Sequence, residues 1–201
     1  MKMYSDRVFR ILRRLVYFFL RLLHPVVHVT GRENIPDGAV ILAGNHSAIS
    51  DPLWIICAAR FPEVPRTMAK KELMDTPILG KLLRKFGVFP VDRGTTDVAA
   101  IKTAMKAIKD GHKLLIFPEG TRLRKGKQSE PHNGVMLLAT RTQTQVLPIF
   151  VSTKKSLFKK IHVVFGAPYL PQTADRRATE QELNDLSEDL LEKIYRLGEG
   201  L

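Results

Sequence analysis

The stretch from Ala39 to Pro52 limits what this chain can fold into more than any other. Its first five residues, Ala39-Val-Ile-Leu-Ala43, are apolar without interruption, the pattern of a buried β-strand. Asn45-His46-Ser47-Ala48-Ile49-Ser50 follows. Asp51-Pro52 then reads as a helix start, with the carboxylate as N-cap and the proline at the first helical position. A buried strand running through a short turn into a helix is a building block of α/β sheets. His46 and Asp51 therefore straddle a turn. On one continuous helix their side chains would project roughly 140° apart, whereas a turn can bring them together. A carboxylate beside an imidazole fixes its tautomer and supports the imidazolium, which a general base requires. The spacing alone also describes a capping aspartate near an incidental loop histidine.

The same punctuation recurs downstream. Residues 97–109, with Val98, Ile101, Met105 and Ile108 at helical spacing, read as an amphipathic helix ending at Gly111. Strands are expected at Val88-Phe89, Lys113–Phe117, Gln145–Val151 and Ile161–Phe165. Pro148 suggests that the third of these is an edge or irregular strand. Together these elements predict an α/β fold. Residues 25–201 form a single domain with a mixed, mostly parallel central sheet flanked by helices. A chain of 201 residues is long enough to bury the core such a sheet needs.

Open α/β sheets place ligands in loops at the carboxyl ends of their strands, and two such loops have suitable chemistry. After Val88-Phe89 comes Pro90-Val91-Asp92-Arg93-Gly94. There Arg93 offers a planar donor fork, and Gly94 lets a ligand approach the backbone. The segment equally fits an ordinary Asp-Arg-Gly turn. After Phe117 comes Pro118-Glu119-Gly120-Thr121-Arg122. In it, Glu119 is suited to accept hydrogen bonds from hydroxyls, Gly120 and Thr121 supply backbone and hydroxyl donors, and Arg122 supplies charge. Arg124, Lys125 and Lys127 behind it read as a solvated loop.

Formal net charge is +12, which points to anionic partners. The charge is uneven. Residues 172–201 hold eight acids and four bases and, with Leu183, Leu186, Leu190, Leu191 and Ile194 at helical spacing, predict an acidic amphipathic packing helix. Residues 1–24 are the opposite case. On a helix, Arg7, Arg10, Arg13, Arg14 and Arg21 fall within a sector of about 120°, and apolar residues from Val8 to Leu23 fill the rest. Charges interrupt every apolar run there, so the segment is no ordinary transmembrane span. It also lacks a signal-peptide cleavage site. It predicts a helix lying in an anionic leaflet, against the plainer reading of a core helix with arginines in water. Cys57, the only cysteine, excludes an internal disulfide. It lies in an apolar helical run as a small core residue, and no Cys/His cluster suggests a metal.

Taken in order, His46-x4-Asp51, Phe89-Pro-Val-Asp-Arg-Gly94, Phe117-Pro-Glu-Gly-Thr-Arg122 and Val146-Leu-Pro-Ile149 resemble the four motifs of the glycerolipid acyltransferases. The resemblance covers roughly residues 25–170 and is nearest in size to the bacterial 1-acyl-sn-glycerol-3-phosphate acyltransferases. It implies transfer of a fatty acyl group from acyl-CoA or acyl-carrier protein to lysophosphatidic acid, giving phosphatidic acid, at the cytoplasmic face of a bacterial membrane. It implies no metal and no cofactor beyond the donor. His46 would be the general base and Asp51 its support. Arg93, Gly94, Glu119, Gly120, Thr121 and Arg122 would form the acceptor pocket together with Asn45, and Lys70 or Lys71 would reach the phosphate. Val146-Leu-Pro-Ile149 would serve the donor side or packing. Glu130-Pro-His-Asn-Gly134 departs from the pattern, which has a more basic Lys-x-Gly-like segment there.

A hydroxyl attacking a thioester needs a base near neutrality, which histidine provides. The chain has no Gly-x-Ser-x-Gly elbow, so direct transfer without an acyl-enzyme is expected. Other acceptors, such as glycerol 3-phosphate or a lyso-aminolipid, remain open at this stage. A basic membrane- or nucleic-acid-binding module is the competing non-enzyme class, but a single Trp and few aromatics among the basic residues argue against nucleic acid.

Overall fold

The computed structural model describes residues 5–92, 97–120, 131–175 and 177–201. In chain order the elements are α1 (Asp6–Leu23), β1 (Val27–Thr30), β2 (Ile41–Gly44), α2 (Asp51–Ala59), β3 (Arg66–Lys70), α3 (Lys71–Met74) and α4 (Leu79–Lys85). Then follow β4 (Val88–Val91), α5 (Val98–Lys109), β5 (Leu114–Ile116), α6 (Gly134–Thr142), β6 (Val146–Val151), β7 (Ile161–Phe165) and α7 (Glu180–Arg196).

The strands form one seven-stranded sheet in the order β1-β7-β6-β2-β5-β3-β4. β6, β2, β5, β3 and β4 run parallel, whereas β7 is antiparallel to β6 and β1 follows β7. This is the mixed, mostly parallel sheet the sequence predicts. The unbroken apolar runs have a simple cause. Successive side chains on a strand point to opposite faces, and both faces are covered. Leu42, Leu115 and Leu147 meet Trp54 and Ile55 of α2 on one side. Ile41, Ala43, Leu114, Ile116 and Val146 meet α5, α6 and α7 on the other. Cys57 is buried in the α2 layer, and burial pushes its thiol up to about 12.

Two strands carry no apolar run to announce them. β1 alternates half-buried and exposed residues at the sheet edge, and β3 has Arg66 and Lys70 at its ends. Pro148, expected to mark an edge, lies in β6 between β2 and β7. Its carbonyl accepts from Gly166 N–H at 2.8 Å, just past the end of β7. Backbone N and O of one strand residue face the same side. The missing N–H therefore faces the place where β7 has ended, and the ladder to β2 stays whole.

The acidic C-terminal helix begins at Glu180 rather than near residue 172, at a capping box in which Thr179 and Glu182 bond each other's backbone amides. Leu183, Leu190 and Ile194 bury its apolar side. α1 has three faces. Phe9 is buried, and Tyr17 and Leu20 pack against the core with it. Ile11, Leu15, Phe18, Phe19 and Leu22 are exposed. Arg7, Arg10, Arg14 and Arg21 lie on the third side. Among the described residues, no helix is long and apolar enough to cross a membrane.

Candidate active site

β2 ends at Gly44, and the chain turns through residues 45–50 into α2 at the carboxyl edge of the sheet. Asn45 secures the turn from behind. It is fully buried, its Nδ2 donates to Val151 O at 2.9 Å, and its Oδ1 accepts from Val151 N–H at 2.7 Å. Both ends of the amide are thus spent on β6, so the expected substrate contact at Asn45 gives way to a structural one.

Asp51 is the first residue of α2, with Ser50 at the N-cap position. Its carboxylate does not cap the helix as expected but reaches back into the turn. Oδ2 accepts from Ser47 N–H and Ala48 N–H, each at 2.6 Å, and lies 3.2 Å from His46 Nδ1. An ionised carboxylate can only accept, so Nδ1 carries the proton and Nε2 keeps a free lone pair. Oδ1 faces the ammonium of Lys155 at 2.6 Å. Burial alone would raise the Asp51 carboxyl, but the hydrogen bond with His46, the Lys155 charge and the Ala48 amide hold it below its ordinary range.

The His46 ring stacks on Phe117, centroids 4.3 Å apart, and its backbone N–H donates to Glu119 Oε2 at 3.1 Å. Glu119 is 1% exposed, and Tyr195 of α7 donates to its Oε1 at 2.5 Å. Burial pushes the Glu119 carboxyl above its ordinary range against the pull of those two hydrogen bonds. Gly44 allows this crowding, since a Cβ there would meet Ile55 Cδ1 at 2.8 Å and Phe117 at 3.3 Å. Beside Phe117, a cavity of about 360 Å³ opens between the ends of β4 and β5 and helices α5 and α6. Met68, Ile101, Ile116, Val135 and Leu138 line it, with Asp92 and His132 among its polar groups.

A histidine base with its lone pair free, held by a buried carboxylate at the carboxyl edge of an α/β sheet, can take a proton from a hydroxyl. The acyltransferase family pattern matches residues 26–152. The chain belongs to the acyltransferase family. Among its relatives are proteins named 1-acyl-sn-glycerol-3-phosphate acyltransferase. One, from Borreliella burgdorferi, is 34% identical over 162 residues, covering 79% of this chain and 64% of that protein. Another, from Bacillus subtilis, is 30% identical over 184 residues, covering 85% and 91%. The crystal structure of the 1-acyl-sn-glycerophosphate acyltransferase PlsC from Thermotoga maritima has the same fold. It superposes with a TM-score of 0.69 over 98% of this chain and 83% of that one, at 24% identity.

Within this member of the family the remaining expected site residues fall into two groups. Lys70 and Lys71 lie at the carboxyl end of β3, separated from β2 by β5 and thus roughly 10 Å along the same edge. Lys70 is exposed and paired with Glu72 at 2.7 Å. Glu119, expected to meet substrate hydroxyls, instead faces His46 and Tyr195. Gly120 takes φ +65°, and a Cβ there would strike the His132 ring at 1.9 Å. The segment that departs from the family pattern therefore returns to cover this turn. Arg93, Gly94, Thr121 and Arg122 lie outside the described residues.

Two partners of the site were not singled out in the sequence, and a third was marked only as a departure from the resemblance. Lys155 is hidden in the run Lys154-Lys155-Ser-Leu-Phe-Lys-Lys160, which reads as a solvated charge cluster, yet its side chain is 8% exposed. Tyr195 follows Ile194 on a helix whose pattern announces only packing. His132 stands where the family carries a basic segment, and only that departure marked it.

Proposed function

We propose that this acyltransferase transfers a fatty acyl group from an acyl thioester to the free hydroxyl of 1-acyl-sn-glycerol 3-phosphate, giving phosphatidic acid. The observation that carries this reading is the His46–Asp51 pair, with Nε2 left as the basic nitrogen. His46 Nε2 takes the hydroxyl proton as the oxygen attacks the thioester carbonyl. The tetrahedral intermediate then collapses with cleavage of the C–S bond. The imidazolium, stabilised by Asp51, returns the proton to the departing thiolate. Phe117 holds the ring by stacking, and Glu119 holds the backbone from which the ring projects.

The thioester is already activated, so direct transfer suffices. Cys57, the only cysteine, is buried with its thiol pushed up to about 12, which suits a core residue and not an acyl carrier. The relatives' names support lysophosphatidate as the acceptor. Lys70 and Lys71 on the same sheet edge support a phosphate-bearing one. The apolar cavity next to Phe117 suits a fatty acyl chain. The exposed apolar face of α1 with its arginine flank supports seating on an anionic leaflet at the cytoplasmic side of the membrane. Either acyl-CoA or acyl-carrier protein meets the chemical need of the donor.

The test is thiol release from acyl-CoA by the purified full chain, with a panel of acceptors. Release that depends on lysophosphatidate is the expected result. Release that depends instead on glycerol 3-phosphate or a lyso-aminolipid would replace the acceptor assigned here.

A further inference from the structure

The loop between β6 and β7, residues 152–160, is bound to two distant parts of the chain. Midway, Lys155 turns inward, where its ammonium pairs with Asp51 and donates to Ser47 Oγ at 2.9 Å. Further along, Phe158 N–H donates to Leu23 O at 2.9 Å, and Lys159 O lies 3.2 Å from His24 Nδ1. The loop therefore bridges the catalytic turn and the last turn of α1.

Between these attachments its apolar residues point outward. Leu157 is 63% exposed and Phe158 is 71% exposed. Phe158 also holds φ +61°, a left-handed conformation that a bulky aromatic seldom adopts and that persists only where the surroundings enforce it. Its attachment to Leu23 places this pair beside Leu22, Leu23 and Val26, which are also exposed. The apolar face of α1 thus continues onto the loop. Lys154, Lys159 and Lys160 surround the pair and are exposed, while Lys155 alone is withdrawn. An apolar tip ringed by cations complements an anionic lipid surface, whose headgroups attract lysines while its interfacial region accepts the tip.

We propose that the 152–160 loop is a second membrane-seating element. In it, Leu157 and Phe158 enter the interfacial layer of an anionic leaflet beside the end of α1, and Lys154, Lys159 and Lys160 contact lipid phosphates. Because Lys155 of the same loop pairs with Asp51, this seating turns the His46 edge of the sheet toward the leaflet that holds the acceptor. The inference rests on the lipid acceptor proposed above.

The test uses the full chain and two variants. Leu157→Ser/Phe158→Gly keeps the backbone amide that bonds Leu23 and suits the positive φ. Lys154→Glu/Lys159→Glu/Lys160→Glu reverses the surface charge. Co-sedimentation with phosphatidylglycerol–phosphatidylcholine vesicles should weaken by about tenfold or more for the first. For the second it should fall by about fivefold per lysine, with no change on pure phosphatidylcholine. Turnover of lysophosphatidate embedded in those vesicles should fall in step. Turnover of a water-soluble short-chain lysophosphatidate should match the unaltered chain. Wild-type vesicle binding by both variants would overturn the inference. So would an equal loss on both substrates, which would make the loop a support of the catalytic turn alone. Intact vesicle binding with a raised KM for acyl-carrier protein would also overturn it, making the loop a protein dock. If the unaltered chain turns over neither substrate, the acceptor assignment fails, and the vesicle measurement still judges the loop.

Discussion

Tyr195, near the end of the last helix, donates a 2.5 Å hydrogen bond to Glu119 Oε1, and the other oxygen of that carboxylate holds the backbone N–H of His46. A helix that its sequence marks only as packing thus supports, through Glu119, the backbone of His46 in the turn after β2. Tyr195→Phe removes one bond to a buried carboxylate, worth roughly 1.5–3 kcal/mol. Urea unfolding should show a stability loss of about that size. Steady-state kinetics should show a lower kcat with little change in KM. An unchanged kcat would limit Tyr195 to packing.

Lys155 and Asp51 form a buried ion pair at 2.6 Å. Removing one member of such a pair costs more than removing both, because the survivor is left charged without compensation, at about 3–5 kcal/mol. Lys155→Met should therefore destabilise by about 3 kcal/mol. The double variant Lys155→Met/Asp51→Asn should lose less than the sum of the two single losses. Strict additivity in that cycle would mean that the pair does not couple.

The fold was readable from the sequence wherever burial left a one-sided or unbroken apolar pattern. Ile41–Gly44 and Val146–Val151 are strands buried on both faces, and their apolar runs record it; Ile161–Phe165 is buried on one face, which Ile161, Val163 and Phe165 share. β1 and β3 escaped notice because edge exposure and terminal cations erase that record. Pro148 misled because a proline's strand position depends on which neighbour its nitrogen faces, and the ending of β7 is not written locally. At the site, His46 and Asp51 were legible as a spacing with a turn between them. Lys155 and Tyr195 were not, since they arrive from 104 and 144 residues beyond Asp51 through tertiary contacts alone. Asn45 was expected at the site because it adjoins His46, but both ends of its amide bond Val151, a partner that β6 brings from 106 residues away.

The two site carboxylates give opposite pH dependences. The Asp51 carboxyl is held below its ordinary 3.8. It contributes stability that is present above that pH and is lost as pH falls through its folded value. The Glu119 carboxyl is raised above its ordinary 4.5. It contributes stability that is present below that pH and is lost as pH rises through its folded value. In unfolding series across pH, Asp51→Asn should flatten the acid limb below pH 3.8. Glu119→Gln should flatten the decline above pH 4.5. The reverse pattern would contradict the environments described for the two groups.

The outer face of α1 can be altered without touching its core side. Leu15, Phe18 and Leu22 are exposed, whereas Phe9 and Leu20 pack against the α2 layer. Leu15→Gln/Phe18→Gln/Leu22→Gln should move the protein from the membrane to the soluble fraction and leave thermal unfolding nearly unchanged. Deletion of residues 1–24 should do the same to location but also lower stability, because Phe9 leaves the core. A triple variant that still pellets with membranes would place the anchor elsewhere.

The central claim is that His46 Nε2 removes the acceptor's proton. The direct measurement is lysophosphatidate-dependent thiol release from acyl-CoA by His46→Ala, with circular dichroism to confirm that the fold is kept. The account predicts a loss on the order of a hundredfold or more in kcat with the fold intact. A folded His46→Ala protein that turns over at the unaltered rate would contradict it.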